Sequence, residues 1–156
     1  MNAMYSAALL LHSWVRWVVV IAGILAVARA IAGMNGGKPW TNSDDRGTLI
    51  FTIAMDIQML VGLALYAWLS PITRLALGDM STAMRNPALR FWVMEHLVGM
   101  IMALALAHVG RIVIKKRTEA GDKHRLTAMF MGVAMVVILL SVPWPWGANP
   151  RPLFRW

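Results

Sequence analysis

Six ionisable side chains stand inside apolar runs of the sequence: His12 and Arg16 in LLLHSWVRW, Asp56 in AMDIQML, Glu95 and His96 in RFWVMEHLVGM, and His108 in AHVGR. In hydrocarbon such groups cost a few kcal/mol or more each, so they face one another or a bound molecule rather than lipid. Two chemistries suit them. Neutral imidazole is an axial ligand of haem iron, and a histidine beside a carboxylate holds or passes a proton. The absence of cysteine excludes disulfides, thiolate metal ligands and covalently attached haem c. His12, His96, Glu95 and Asp56 could also supply a mixed nitrogen and oxygen site for zinc, copper or iron, but no local pattern such as H-E-x-x-H fixes their geometry. The 13 methionines are spread without a close Met-x-x-Met cluster, which favours flexible packing over copper handling.

Membrane helices must position these residues. Of the 156 residues 59% are hydrophobic and 14% charged, against about one-quarter charged in a soluble domain. A globule of this size cannot hide so much apolar surface, so lipid covers the excess. Four stretches are long enough to cross about 30 Å of hydrocarbon: Tyr5 to Gly33, Gly47 to Ser70, Ala88 to Ile114 and Leu126 to Val142. The expected fold is all-α, a single transmembrane domain built as an integral membrane four-helix bundle. Asn35-Gly36-Gly37-Lys38-Pro39 breaks the first helix, Asn42, Ser43, Asp44 and Asp45 offer caps to the second, and Pro71 stops it. Asn86-Pro87 opens the third, and Pro143-Trp144-Pro145-Trp146 closes the fourth. The opening stretch lacks the basic region of a signal peptide and carries His12 and Arg16 in its apolar run, so it reads as a retained helix.

The net charge of +8 does not mark a nucleic-acid partner, because the basic residues flank the spans and form no groove-reading motif. In the loop KKRTEAGDKHR six of eleven residues are basic, counting His124, which is expected to be solvated there. Such loops stay cytoplasmic. An even number of crossings then puts both termini and the Pro71 to Pro87 connection outside, the arrangement of a multi-pass protein of a bacterial inner membrane with periplasmic termini. Trp14, Trp17, Trp68, Trp92, Trp144 and Trp146 fall near the outer helix ends as an aromatic belt, and Ile72, Leu75, Leu77 and Met80 suit a short amphipathic segment at that interface.

Helix rise sorts the six residues by depth. His12 and His96 both lie about 5 to 8 Å below the outer boundary, and Asp56 and His108 about 9 to 11 Å from the inner one. Arg16 stands one turn below His12 on the same face, with Glu95 or Asp56 as its expected partner. The fourth span carries no ionisable residue. His12 and His96 admit two readings: axial ligands of a haem b held between facing helices, with Arg16 or Arg90 near a propionate, or polar glue bonded to Glu95, Ser13 or a carbonyl. His108 is turned about 120° from His96 and lies about 18 Å lower, so a hydrogen bond with Asp56 is its expected role. Gly23, Gly99 and Ala103 allow either close helix approach or room for a flat ring.

LHSWVRW, DIQMLVGLALY, RFWVMEHLVGM, AHVGR and PWPW together resemble a family of small bacterial four-helix membrane proteins grouped as cytochrome b-like. The resemblance spans nearly the whole chain. It implies that His12 and His96 are the best candidates for axial ligands of haem b; Arg16 and Glu95 would then tune its potential and orient His96. Some members have histidine where this chain has Asp56, a departure that leaves a second haem at that position without a ligand. Two functions follow as expectations. One is an electron-transfer subunit linking haem b to quinone and to other subunits of a membrane complex. The other is an accessory subunit of a respiratory or photosynthetic assembly, in which the polar residues are interhelical glue and WPWGANPRPLFRW is a docking surface. A proton path through Arg16, Asp56 and His108 lacks a connected polar route.

Overall fold

The computed structural model describes residues 3–156, and among them all regular structure is helical. Helix α1 spans Ala3–Asn35. Helix α2, Asn42–Ala64, runs on into a π-helical turn at Leu65–Leu69. Three short helices follow, α3 at Pro71–Gly78, α4 at Met80–Arg85 and α5 at Pro87–Arg90. A second π-helical turn, Phe91–Glu95, leads into α6, His96–Lys115, and α7 covers Ala120–Ser141. Ala3–Asn35, Asn42–Leu69, Pro87–Lys115 and Ala120–Ser141 are each long and apolar enough to cross a membrane. The chain is an integral membrane four-helix bundle.

Two helices begin earlier than apolarity alone predicts. Thr41 caps α2 because the Asp44 carboxylate accepts hydrogen bonds from its amide at 2.9 Å and its hydroxyl at 2.5 Å, which sets the start five residues before Gly47. Helix α7 starts at Ala120 rather than Leu126 because AGDKHR has no proline, its one glycine falls in the first turn, and Asp122 there suits the positive end of the helix; the hydropathy ends at Leu126, and the backbone does not. His124 is therefore not a solvated loop residue. It is 2% exposed, with its imidazole filling the space left by the missing Cβ of Gly33 and packing at 5.1 Å between ring centres against Trp40. The fourth span thus contributes a buried histidine after all.

The helices close a ring in the order α1, α2, α6, α7 around a core that includes Val19, Val20, Phe51, Met55, Ala103, Ala107, Met131, Met135 and Ile138. Gly23 lies against Phe51 and Met135, and Gly99 against Ser141, so these small residues serve helix approach rather than leave space for a ring. At the end that carries the α1–α2 and α6–α7 loops, Arg29 pairs with Asp44 at 2.9 Å. There Arg111 bonds the Asp45 carboxylate at 3.2 Å and the Thr48 hydroxyl at 2.5 Å. At the other end α3 and α4 bury Thr73, Ala76 and Ala83 and leave Leu75, Leu77 and Met80 exposed, as an amphipathic interfacial segment does.

Candidate functional site

Both π-helical turns lie at the end of the bundle where α1 begins and α7 finishes. A π turn inserts a residue and shifts the register of everything beyond it. His96 follows directly on the second of these turns and is directed inward. Successive helical residues are about 100° apart, so Glu95 cannot share that direction. Its carboxylate is 48% exposed and bonds Arg90 at 2.7 Å, away from the cavity. Sequence spacing placed Glu95 and Arg90 beside the histidines; the two are instead paired with each other.

His12 on α1 and His96 on α6 meet with ring centres 6.3 Å apart and ring planes at 70°. His96 Nδ1 is 2.8 Å from the carbonyl oxygen of Ser141, at the last residue of α7. A carbonyl only accepts, so Nδ1 carries the hydrogen and Nε2 keeps its lone pair. On α2, Gly62 makes room for the His12 ring, where a Cβ would lie 3.1 Å from Cε1. A cavity of about 140 Å³ opens here, lined by His12 and Arg16 of α1, Gln58 and Met59 of α2, His96 and Met100 of α6, Ile138 of α7 and the arginines Arg151 and Arg155. Its walls carry buried polar atoms with no hydrogen-bond partner: His12 Nδ1, Arg16 Nε and Gln58 Oε1. Such atoms are costly unless something occupies the space beside them.

Residues 143–156 fold back over this cavity. The Leu153 carbonyl accepts from Arg16 Nη2 at 2.5 Å and from Trp17 Nε1 at 2.9 Å, and the Arg155 carbonyl accepts from Trp14 Nε1 at 3.1 Å. Trp17 stacks on Phe154 at 5.3 Å, and the Arg151 guanidinium sits 4.8 Å from the centre of the Trp92 ring. Arg16 therefore pairs with neither Glu95 nor Asp56. Its long side chain reaches the folded-back segment instead, and the tryptophans of the aromatic belt double as the platform for that segment.

Asp56 and His108 form the expected pair, with His108 Nε2 donating to Asp56 Oδ1 at 2.8 Å. Their side chains are 42% and 48% exposed, on the seam between α2 and α6 and outside the cavity wall. The mixed metal site read from the sequence is not assembled, because Glu95 and Asp56 are committed elsewhere. Among the described residues no three His, Asp or Glu side chains converge as a metal-binding group. A pair of imidazoles is what the cavity offers, and for a haem iron, which takes four ligands from its own macrocycle, two are sufficient. Gln58, Arg151 and Arg155 were missed by the sequence reading; an amide in the middle of an apolar run was the available signal for Gln58. The chain matches no family model, no curated protein and no solved structure.

Proposed function

We propose that the chain is a membrane-embedded, b-type cytochrome-like electron-transfer subunit of the bacterial inner membrane, with haem b held by His12 and His96. The observation that carries this reading is the spacing of the two imidazoles. The two rings stand 6.3 Å apart between centres at one cavity, and these are the side chains that would hold the iron. The Ser141 carbonyl acts on His96 as such partners act on ligating histidines, fixing the tautomer and the ring orientation. When bound, haem b supplies a one-electron couple. The chain's own part is to hold the ring nitrogens, to exclude water with Met59, Met100 and Ile138, and to leave the loop-bearing end in the cytoplasm. Quinone and neighbouring subunits of a membrane complex are the electron partners this reading implies.

A second reading has its own support. A cavity of about 140 Å³ is close to the roughly 150 Å³ that takes up a benzene ring, so the space as it stands has the size of one aromatic ring, such as a quinone or quinol head group beside His12 and Gln58, whereas haem b would have to part the side chains around it. Haem content separates the two. Protein purified from haem-supplied cells should carry one haem b per chain and lose it in His12→Ala and His96→Ala. A haem-free wild-type chain that binds a quinone would favour the second reading.

A further inference from the structure

The mouth of the cavity is unusual in its charge. Arg16, Arg151 and Arg155 all line it, and among the described residues none of them has an ion-pair partner. The sequence has seven acidic residues, and none is available there. Asp44, Asp45, Asp56 and Glu95 are held by Arg29, Arg111, His108 and Arg90. Asp79 caps α4, while Glu119 and Asp122 belong to the turn into α7 at the opposite end of the bundle. Arg16 spends one Nη on the neutral Leu153 carbonyl and leaves Nε buried without a partner. Arg16 and Arg155 bring like charges to one cavity, and repulsion between like charges rises as the dielectric falls.

We propose that this mouth binds an anionic group, a carboxylate or phosphate, on an amphiphile whose apolar body lies in the cavity, with residues 143–156 bringing Arg151 and Arg155 over it as a clamp. Guanidinium groups offer forked donors that match both oxyanions. The apolar walls below the mouth suit a hydrocarbon or ring body and would reject a small free anion. The inference deepens the reading of the same cavity as a ligand site, and it stands whether or not that ligand is haem. The amphiphile can be an anionic membrane lipid or a diffusible molecule that joins an apolar body to a carboxylate or phosphate.

The test uses the full chain in phosphatidylcholine nanodiscs, with dodecyl phosphate as the anionic probe and dodecanol as its neutral counterpart, read by native mass spectrometry and tryptophan emission. Dodecyl phosphate should bind saturably, one per chain, at least about tenfold more tightly than dodecanol, since a charge-assisted bond to a half-buried guanidinium is worth about that factor. Arg151→Gln and Arg155→Gln should each remove most of that preference. Arg155→Lys should retain part of it, and Arg74→Gln, on exposed α3, all of it. Competition in phosphatidylglycerol nanodiscs identifies a lipid of net negative charge as the occupant, and its absence a diffusible anionic amphiphile; either accords with the proposal. Equal affinity for dodecanol, or a preference unchanged in both Gln variants, overturns it. The optical spectrum of the same preparations is read in parallel, so a chain that binds dodecyl phosphate but no haem rejects only the haem reading.

Discussion

Gly99→Ala tests the contact that orients His96. A Cβ on Gly99 would fall on the Ser141 hydroxyl and lie 2.9 Å from Ser141 Cβ. Either α6 and α7 part or Ser141 moves, and Ser141 is the residue whose carbonyl holds His96 Nδ1 at 2.8 Å. Overpacking of this kind costs about 1–3 kcal/mol. A chain of this size loses about 2–4 °C in melting temperature per kcal/mol, so the variant should melt roughly 2–12 °C below wild type. Ser141→Gly removes both clashing atoms and keeps the carbonyl. Alone it should cost about 0.5–1 kcal/mol for a glycine in the last helical turn. Combined with Gly99→Ala it should recover most of the loss, with a coupling of about 1–3 kcal/mol. Melting the four proteins of the cycle in detergent by circular dichroism measures this. Haem affinity should follow the same pattern, falling about 10–100-fold in Gly99→Ala and returning in the double variant. A single variant that melts with wild type, or a double variant no better than the sum of the singles, would refute the argument.

Gly33→Ala should destabilise the α1–α7 contact by about 1–3 kcal/mol, because its methyl occupies the His124 ring position; adding His124→Ala should relieve it, as read by the same melts. Arg111→Ala should cost about 1.5–3 kcal/mol, since it removes a guanidinium that is only 11% exposed and its bonds to Asp45 and Thr48, while the Asp45 carboxylate left behind is 38% exposed and stays solvated. Arg29→Ala should cost about 1 kcal/mol, because the guanidinium is 50% exposed and Asp44, only 8% exposed, keeps the Thr41 amide and hydroxyl as donors, and a loss larger than that of Arg111→Ala would contradict this ranking. The amide and hydroxyl of Thr82 hold the Asp79 carboxyl below its usual range. Its capping of α4 is therefore complete above the ordinary carboxylate range and lost as pH falls through the lowered value. Hydrogen exchange of the Thr82 amide should accelerate in that acidic window, relative to intrinsic exchange at each pH, and Asp79→Asn should abolish the pH dependence while keeping the cap.

The four spans were legible because hydrocarbon demands long apolar runs and little else satisfies a backbone in lipid. Depth counted along helices was enough to bring His12 to His96 and Asp56 to His108, since rise per residue is nearly constant. Azimuth was less legible. A π turn before His96 changes the direction of each side chain beyond it, and adjacent residues such as Glu95 and His96 cannot both face inward. Arg16 and His124 were misread for different reasons. Arg16 has a side chain long enough to leave its own level and reach a segment distant in sequence. His124 sits in a run of charge that conceals a helical start, opposite a glycine whose lack of a side chain is visible only when α1 and α7 are packed together. The folding back of residues 143–156 depends on stacking among tryptophan and phenylalanine rings that spacing alone does not pair.

The central claim rests on two imidazoles spanning one iron, and the reduced-minus-oxidised absorption spectrum of the purified full chain tests it most directly. The account predicts an oxidised Soret band that sharpens on reduction, with resolved α and β bands of a six-coordinate, low-spin haem b, and the loss of those bands in His12→Ala and in His96→Ala. A colourless protein from haem-supplied cells, or a spectrum that survives both substitutions, would contradict it.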